Sequence, residues 1–248
     1  QKGDHFEKQV AETIRVQSSV RLQGAEIGDT WQTRGKWHAL AVLNRGKAAE
    51  QWTSEIQNLD NTIAGQIKAY RQLESPILQL QAIDRIMRRW LDKQVIESRL
   101  RVIGAPYNSP VDRDIQKILK KLPAIKSRMR IFADISGTRS DAIQNRIVRS
   151  LADKGYVFTD GKAGADVILS GTTAVKPLDL NRQDWEFVRA IVTVSVIDAT
   201  SGDQVGRITE NTRAAHLNID EATRKAIDKI AGQVANIVVD HFVTAGEK

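Results

Sequence analysis

A chain of 248 residues with 41% hydrophobic residues, 27% charged residues and only 5 Pro has the make-up of a folded protein able to bury a core, not of a disordered or collagen-like one. It contains no Cys, which excludes disulfides, thiolate nucleophiles and thiolate metal sites, and no run approaches the ~18 apolar residues of a membrane-spanning helix, in keeping with a mean hydropathy of -0.35. The net charge of +7 lies in the first half: residues 1–103 carry 16 basic and 12 acidic groups, residues 104–126 carry 5 and 2, and residues 127–248 carry 16 of each. With aromatics at 5% and no interleaving of Lys/Arg with regularly spaced rings, this is not the pattern of a nucleic-acid binder.

Taken in chain order, residues 1–46 read as a partial α/β module. Its elements are a polar, helical start at Asp4–Ile14, a strand over Ile14–Ile27 alternating through Val16, Ser18, Val20 and Leu22, a hairpin connection over Gly28–Lys36, and the apolar strand Trp37–Leu43. From Lys47 the period changes to three and four: Trp52, Ile56, Leu59, Ile63, Ile67, Tyr70 and Leu73, then Ile77, Leu80, Ile83, Met87 and Val95. Ser75-Pro76 divides this region as an N-cap followed by Pro at the first helical position. The expectation for 47–103 is therefore an antiparallel helical hairpin, with one kinked rod as the alternative.

Gly104–Pro110 is the linker, and residues 104–126 continue into a short basic helix over Asp112–Leu122. Residues 127–248 predict an α+β domain of order β-α-β-β-β-β-α, a mixed sheet with two helices on one face. Met129–Ile135 is its first strand; Thr138 with Asp141 resembles a capping box ahead of the helix carrying Ile143, Ile147 and Leu151, which stops at Gly155. Tyr156–Thr159, Asp166–Val175, Trp185–Ile197 and Gln204–Arg213 follow as strands, the third with Val188, Ala190, Val192, Val194 and Val196 on one face. Asn218 opens the last helix, and this domain is expected to fold without the hairpin.

The chemistry-bearing residues do not assemble into a catalytic pattern. His5, His38, His216 and His241 lack ligand partners at helical or strand spacing, no nucleophile elbow or zinc-protease motif occurs, and Gly161-Lys162-Ala163-Gly164 lacks the remaining residues of a phosphate loop. The reading is therefore of a non-enzyme with no cofactor and no metal. Two sets of residues are candidates for binding. Ser136, Gly137, Thr138 and Arg139, at a helix N-terminus after a strand, suit an anion. Trp52, Tyr70, Arg85, Arg88, Arg89 and Trp90 give the hairpin aromatic anchors and a basic surface for an acidic partner, with a mere spacer as the alternative role.

Leu22-Gln23-Gly24-Ala25-Glu26-Ile27-Gly28-Asp29-Thr30-Trp31, followed by Trp37-His38-Ala39-Leu40-Ala41-Val42-Leu43-Asn44-Arg45, resembles a family of bacterial envelope lipoproteins whose N-terminal module is shared with the flagellar assembly protein FlgT. His38 stands where that family commonly has Tyr, and Asn44 where it has Asp. Gly155-Tyr156, Ala165–Gly171 and Val196–Gly202 are similar to a second envelope module, that of the TolB amino-terminal domain, the curli secretion lipoprotein CsgG and the penicillin-binding-protein activator LpoB. Together these resemblances imply a periplasmic accessory or assembly factor anchored at the outer membrane. Its signal peptide and acylated Cys would lie outside this chain, and its partners would be envelope proteins or peptidoglycan-associated machinery rather than nucleic acid. A binding domain for an anionic ligand or nucleic acid is the alternative.

Overall fold

The computed structural model describes residues 25–180 and 184–242. The helical start expected at Asp4–Ile14 and most of the strand expected at Ile14–Ile27 lie outside the described residues. Among those described the fold is α+β, with seven strands, five helices, a two-stranded sheet and a five-stranded mixed sheet. Among the described residues two compact units are distinguished, one made of residues 25–58 with Lys93–Asn108, the other of Leu59–Asp92 with the described residues from Ser109 onward.

In the first unit, β1 (Ala25–Thr33) and β2 (Lys36–Leu43) form an antiparallel hairpin with a bulge between Ile27 and Asp29. The connection is shorter than Gly28–Lys36: the strand continues to Thr33, and only Arg34 and Gly35, at φ 51 and 77, make the turn. Positive φ at both central residues is what a two-residue turn needs to match the twist of its strands. Ile27, Trp31, Trp37, Leu40 and Val42 all remain exposed, and Trp31 stacks on His38. Arg45, at the start of α1 (Arg45–Tyr70), donates through Nε and Nη2 to the carbonyl of Ile103, just past the end of α2 (Pro76–Val102). The two helices are therefore a hairpin, not one rod. Ala48, Trp52 and Ile56 are buried here, with Ile96 and Leu100, because steps of three and four put them on one stripe.

In the second unit, α1 and α2 meet at the turn after Tyr70. Pro76 begins α2 as its spacing predicts, but the Ser75 hydroxyl is buried without a partner among the described residues, and the cap is the Ser75 carbonyl accepting from the N–H of Gln79. The basic helix α3 (Asp112–Arg128) runs past Leu122 and straight through Pro123. The ring lies on the exposed side, while Ile115, Ile118, Leu122 and Lys126 continue the buried stripe, so burial outweighs one lost backbone hydrogen bond.

The sheet has the strand order β4-β3-β5-β6-β7, with β3 (Arg130–Gly137), β4 (Val157–Phe158), β5 (Val167–Leu178), β6 (Glu186–Asp198) and β7 (Gln204–His216). Strand β3 pairs in parallel with β4 and β5, and β5-β6-β7 is an antiparallel meander. Helices α4 (Ser140–Ala152) and α5 (Ile219–Phe242) cover one face, and Ala222, Ala226, Ala231 and Ala235 keep α5 thin enough for close packing. Under them lie Ile131, Ala133, Ile135, Val167, Leu169 and the alternate residues Val188 to Val196 of β6.

The core does not stop at the linker. Ile63, Ile67, Ile77, Leu80, Ile83, Ile86 and Met87 of the hairpin belong to the same buried cluster as Ile115, Ile118, Ile131 and Phe242. The C-terminal domain, expected to fold without the hairpin, thus shares its buried cluster with part of it.

Candidate functional site

The residues singled out on the hairpin separate by depth. Trp52 is 2% exposed and its indole nitrogen has no partner among the described residues, so it is a core residue and not an anchor on a free surface. Tyr70 is buried too. Trp90 is half-buried, packs against the core and donates its indole N–H to Asp112 at 3.2 Å, which ties α2 to the start of α3. The arginines lie elsewhere. Arg85, Arg88 and Arg89 are exposed and, with Gln66, Leu91 and Asp92, line a groove of about 520 Å³.

Two of the three are engaged within their own helix. Arg88 donates through Nε to Asp84 at 2.8 Å, and that hydrogen bond, with the attraction of the Asp84 charge, holds its guanidinium above the usual arginine value. Arg89 reaches Asp92 at 3.8 Å. Arg85 has no hydrogen bond or ion pair among the described residues, and Gln66 presents a side-chain oxygen that is buried without a donor. The groove therefore offers one uncommitted cation, one uncommitted acceptor and the exposed side chain of Leu91.

A second pocket, of about 370 Å³, lies between the end of α1 and α3 and was not anticipated from the spacing. Tyr70, Arg71, Asp114, Lys117, Ile118, Lys120 and Lys121 line it. Burial pushes the Tyr70 phenol up. Asp114 accepts from Lys117 at 3.4 Å and from Arg71 at 2.8 Å, which lowers its carboxyl below the usual range against an opposing effect of desolvation. The signal was present as Lys117, Lys120 and Lys121 on one basic helix, but Arg71 joins them only through the tertiary fold.

The expected anion loop is built differently from its reading. Asp141 and Thr138 form no capping box; the residue ahead of α4 is Arg139, at φ 52, and no side chain caps the helix. The Thr138 N–H is committed to the Thr173 carbonyl at 3.1 Å, and Ser136 Oγ lies 3.4 Å from the Gly171 carbonyl as a donor. Gly137, at φ 105, lies so close to Thr173 that a Cβ would come within 2.0 Å of its carbonyl oxygen. The loop fastens β3 to β5, and that role explains Gly137 fully.

No protein-family model and no curated protein matches this chain. Solved structures similar to it cover slightly under half of it. The minor lipoprotein from Acinetobacter baumannii is 14% identical over 47% of this chain and 95% of its own, at a TM-score of 0.37. Lipoprotein GNA1162 from Neisseria meningitidis is 10% identical over 45% of this chain and 99% of its own, at 0.33. Rare lipoprotein B from Shewanella oneidensis is 12% identical over 45% of this chain and 91% of its own, also at 0.33. All three are bacterial lipoproteins.

Proposed function

We propose that this chain is the folded part of a non-enzymatic periplasmic lipoprotein of the bacterial outer membrane, acting as an accessory or assembly factor through protein–protein contacts. The observation that supports it most is the groove on α2: an open trough on a helix face, with exposed Arg85 and Leu91 beside an unsatisfied Gln66, suits a segment of another protein. The resemblance in residues 22–45 and 155–202 supports the compartment.

Fractionation of cells making the full-length precursor is expected to place it in the envelope. The triple variant Arg85→Ala, Arg88→Ala, Arg89→Ala is expected to keep its fold but yield at least fivefold less of the cross-linked envelope partner. Recovery of an uncleaved precursor in the cytosol would overturn the compartment, and an unchanged cross-linking yield would leave the hairpin as a spacer.

The second pocket supports the alternative, a binding domain for an anionic ligand, since Arg71, Lys117, Lys120 and Lys121 face it with Asp114 as the only carboxylate among the described residues that line it. Titration with inorganic phosphate, followed by amide NMR shifts at Lys120 and Lys121, tests it. Saturable shifts there, absent from Lys120→Gln, would favour this reading.

A further inference from the structure

The charges of the C-terminal domain balance in number but are sorted by the register of its strands. Even-numbered residues of β5 point away from α4 and α5, as do odd-numbered residues of β6 and, beyond the bulge at its start, those of β7 from Arg207 on, because their neighbours along each strand are the buried ones. The outward positions are Ile168, Ser170, Thr172, Ala174, Lys176 and Leu178 on β5; Phe187, Arg189, Ile191, Thr193, Ser195 and Ile197 on β6; and Arg207, Thr209, Asn211, Arg213 and Ala215 toward the end of β7. Four are cations and none is a carboxylate. Glu186, Glu210 and Asp198 all fall on the inward set.

Three of the four cations stand in line. Lys176 is the register partner of Arg189, and Arg189 of Arg213. Strands lie about 4.8 Å apart, so three positive groups occupy roughly 10 Å. Like charges directly opposite one another destabilise a sheet, yet nothing among the described residues compensates these: none of the three has a hydrogen bond or ion pair, and Arg189 Nε is buried with no acceptor. Asp134, on the outward face of β3, is the register partner of Ser170, three outward positions along β5 from Lys176, and is engaged with Lys162 at 3.6 Å.

We propose that this outward sheet face, centred on Lys176, Arg189 and Arg213, is a docking surface for an acidic stretch of another protein. Three strands of about 12 residues present on the order of 600 Å², near the roughly 800 Å² per partner of a standard interface. The face is flat and mixed: the cation row has Ile191 on one side and Leu178 with Phe187 on the other, and beyond Ile191 come the hydroxyls of Thr172, Thr193 and Thr209. Apolar residues on both sides of the cations suit a protein surface laid flat against them; a lipid surface would call for cations behind a protruding apolar tip. A second copy packed face to face would set cation against cation.

The surface rests on the reading of this chain as a protein-binding factor, but it fails separately, because the envelope fractionation and the α2 variants can succeed while this test does not. The probe is a fluorescein-labelled peptide of fourteen residues alternating Glu and Val, titrated into the whole chain and followed by anisotropy. Lys176 and Arg213 are exposed and stand opposite Arg189, so the double variant Lys176→Gln, Arg213→Gln is expected to melt no lower than the native chain and to bind about tenfold more weakly, with amide shifts in the native protein centred on Arg189. Lys225→Gln with Lys229→Gln, at exposed positions of α5, is expected to bind as the native chain does. Equal binding by the sheet variant would overturn the proposal. So would loss, in that variant, of sedimentation with vesicles of one part phosphatidylglycerol to three of phosphatidylethanolamine, or of a dimer seen by analytical ultracentrifugation.

Discussion

Gly137 and Trp52 show how one position can be decided by what lies a few ångströms away. At Gly137, Ala would meet both a left-handed backbone and the Thr173 carbonyl, so Gly137→Ala is expected to lower stability by about 3 kcal/mol in urea denaturation, the upper end of what such backbone strain costs. Trp52→Ala removes a large buried side chain and is expected to cost about 3–5 kcal/mol. Trp52→Phe should cost far less, because it also removes an indole N–H that finds no acceptor. Asp114 supplies a test in pH. Its carboxyl titrates lower in the folded chain than in the unfolded one, through Lys117 first and then Arg71. Its contribution is therefore present at neutral pH and fades as pH falls below the ordinary carboxylate value of about 4. Asp114→Asn should melt below the native protein at pH 7 and together with it at pH 2; a gap of the same size at both would remove the ion pairs from the explanation.

Among the elements, α5 begins as its sequence predicts: Asn218 Oδ1 accepts from the N–H groups of Asp220 and Glu221. Asn218→Ala should cost about 1 kcal/mol, measurable as a lower urea midpoint at unchanged slope. The order of strands and helices after the linker was legible because alternation and helical period are properties of neighbouring residues. The hairpin was legible for the same reason, with Pro76 as its punctuation. What escaped depended on distant partners. Pro123 marks a helix end by local rules, yet α3 continues because Lys126 and Met129 still reach buried positions. The Arg34–Gly35 turn was hidden inside a polar stretch that is strand nearly to its end. On the binding side, exposed Arg85, Arg88 and Arg89 follow from the helical stripe, which puts them opposite Ile83, Ile86 and Met87. The depth of Trp52 and Tyr70 does not, since an aromatic at helical spacing suits a core or an anchor equally. The cation row was invisible to a charge count, because 16 bases and 16 acids balance until the register assigns them to faces.

For the molecule as a whole, the shared buried cluster sets what can be cut away. A fragment of residues 112–248 would expose Ile115, Ile118 and Leu122, which lie in the same cluster as Ile63, Ile83 and Met87. It is expected to melt lower than the intact chain and bind a hydrophobic dye; equal melting would show that the helices contribute little to this core. The strand order also has a consequence in time. Strands β5, β6 and β7 pair with their neighbours in sequence, whereas Ile131 of β3 finds Val167 only after α4 and β4 have been traversed. Contacts between near neighbours close with less loss of chain entropy, so the meander is expected to form the folding nucleus and β3 to dock onto it late. In stopped-flow measurements Val194→Ala should then chiefly slow refolding, and Ile131→Val should chiefly hasten unfolding.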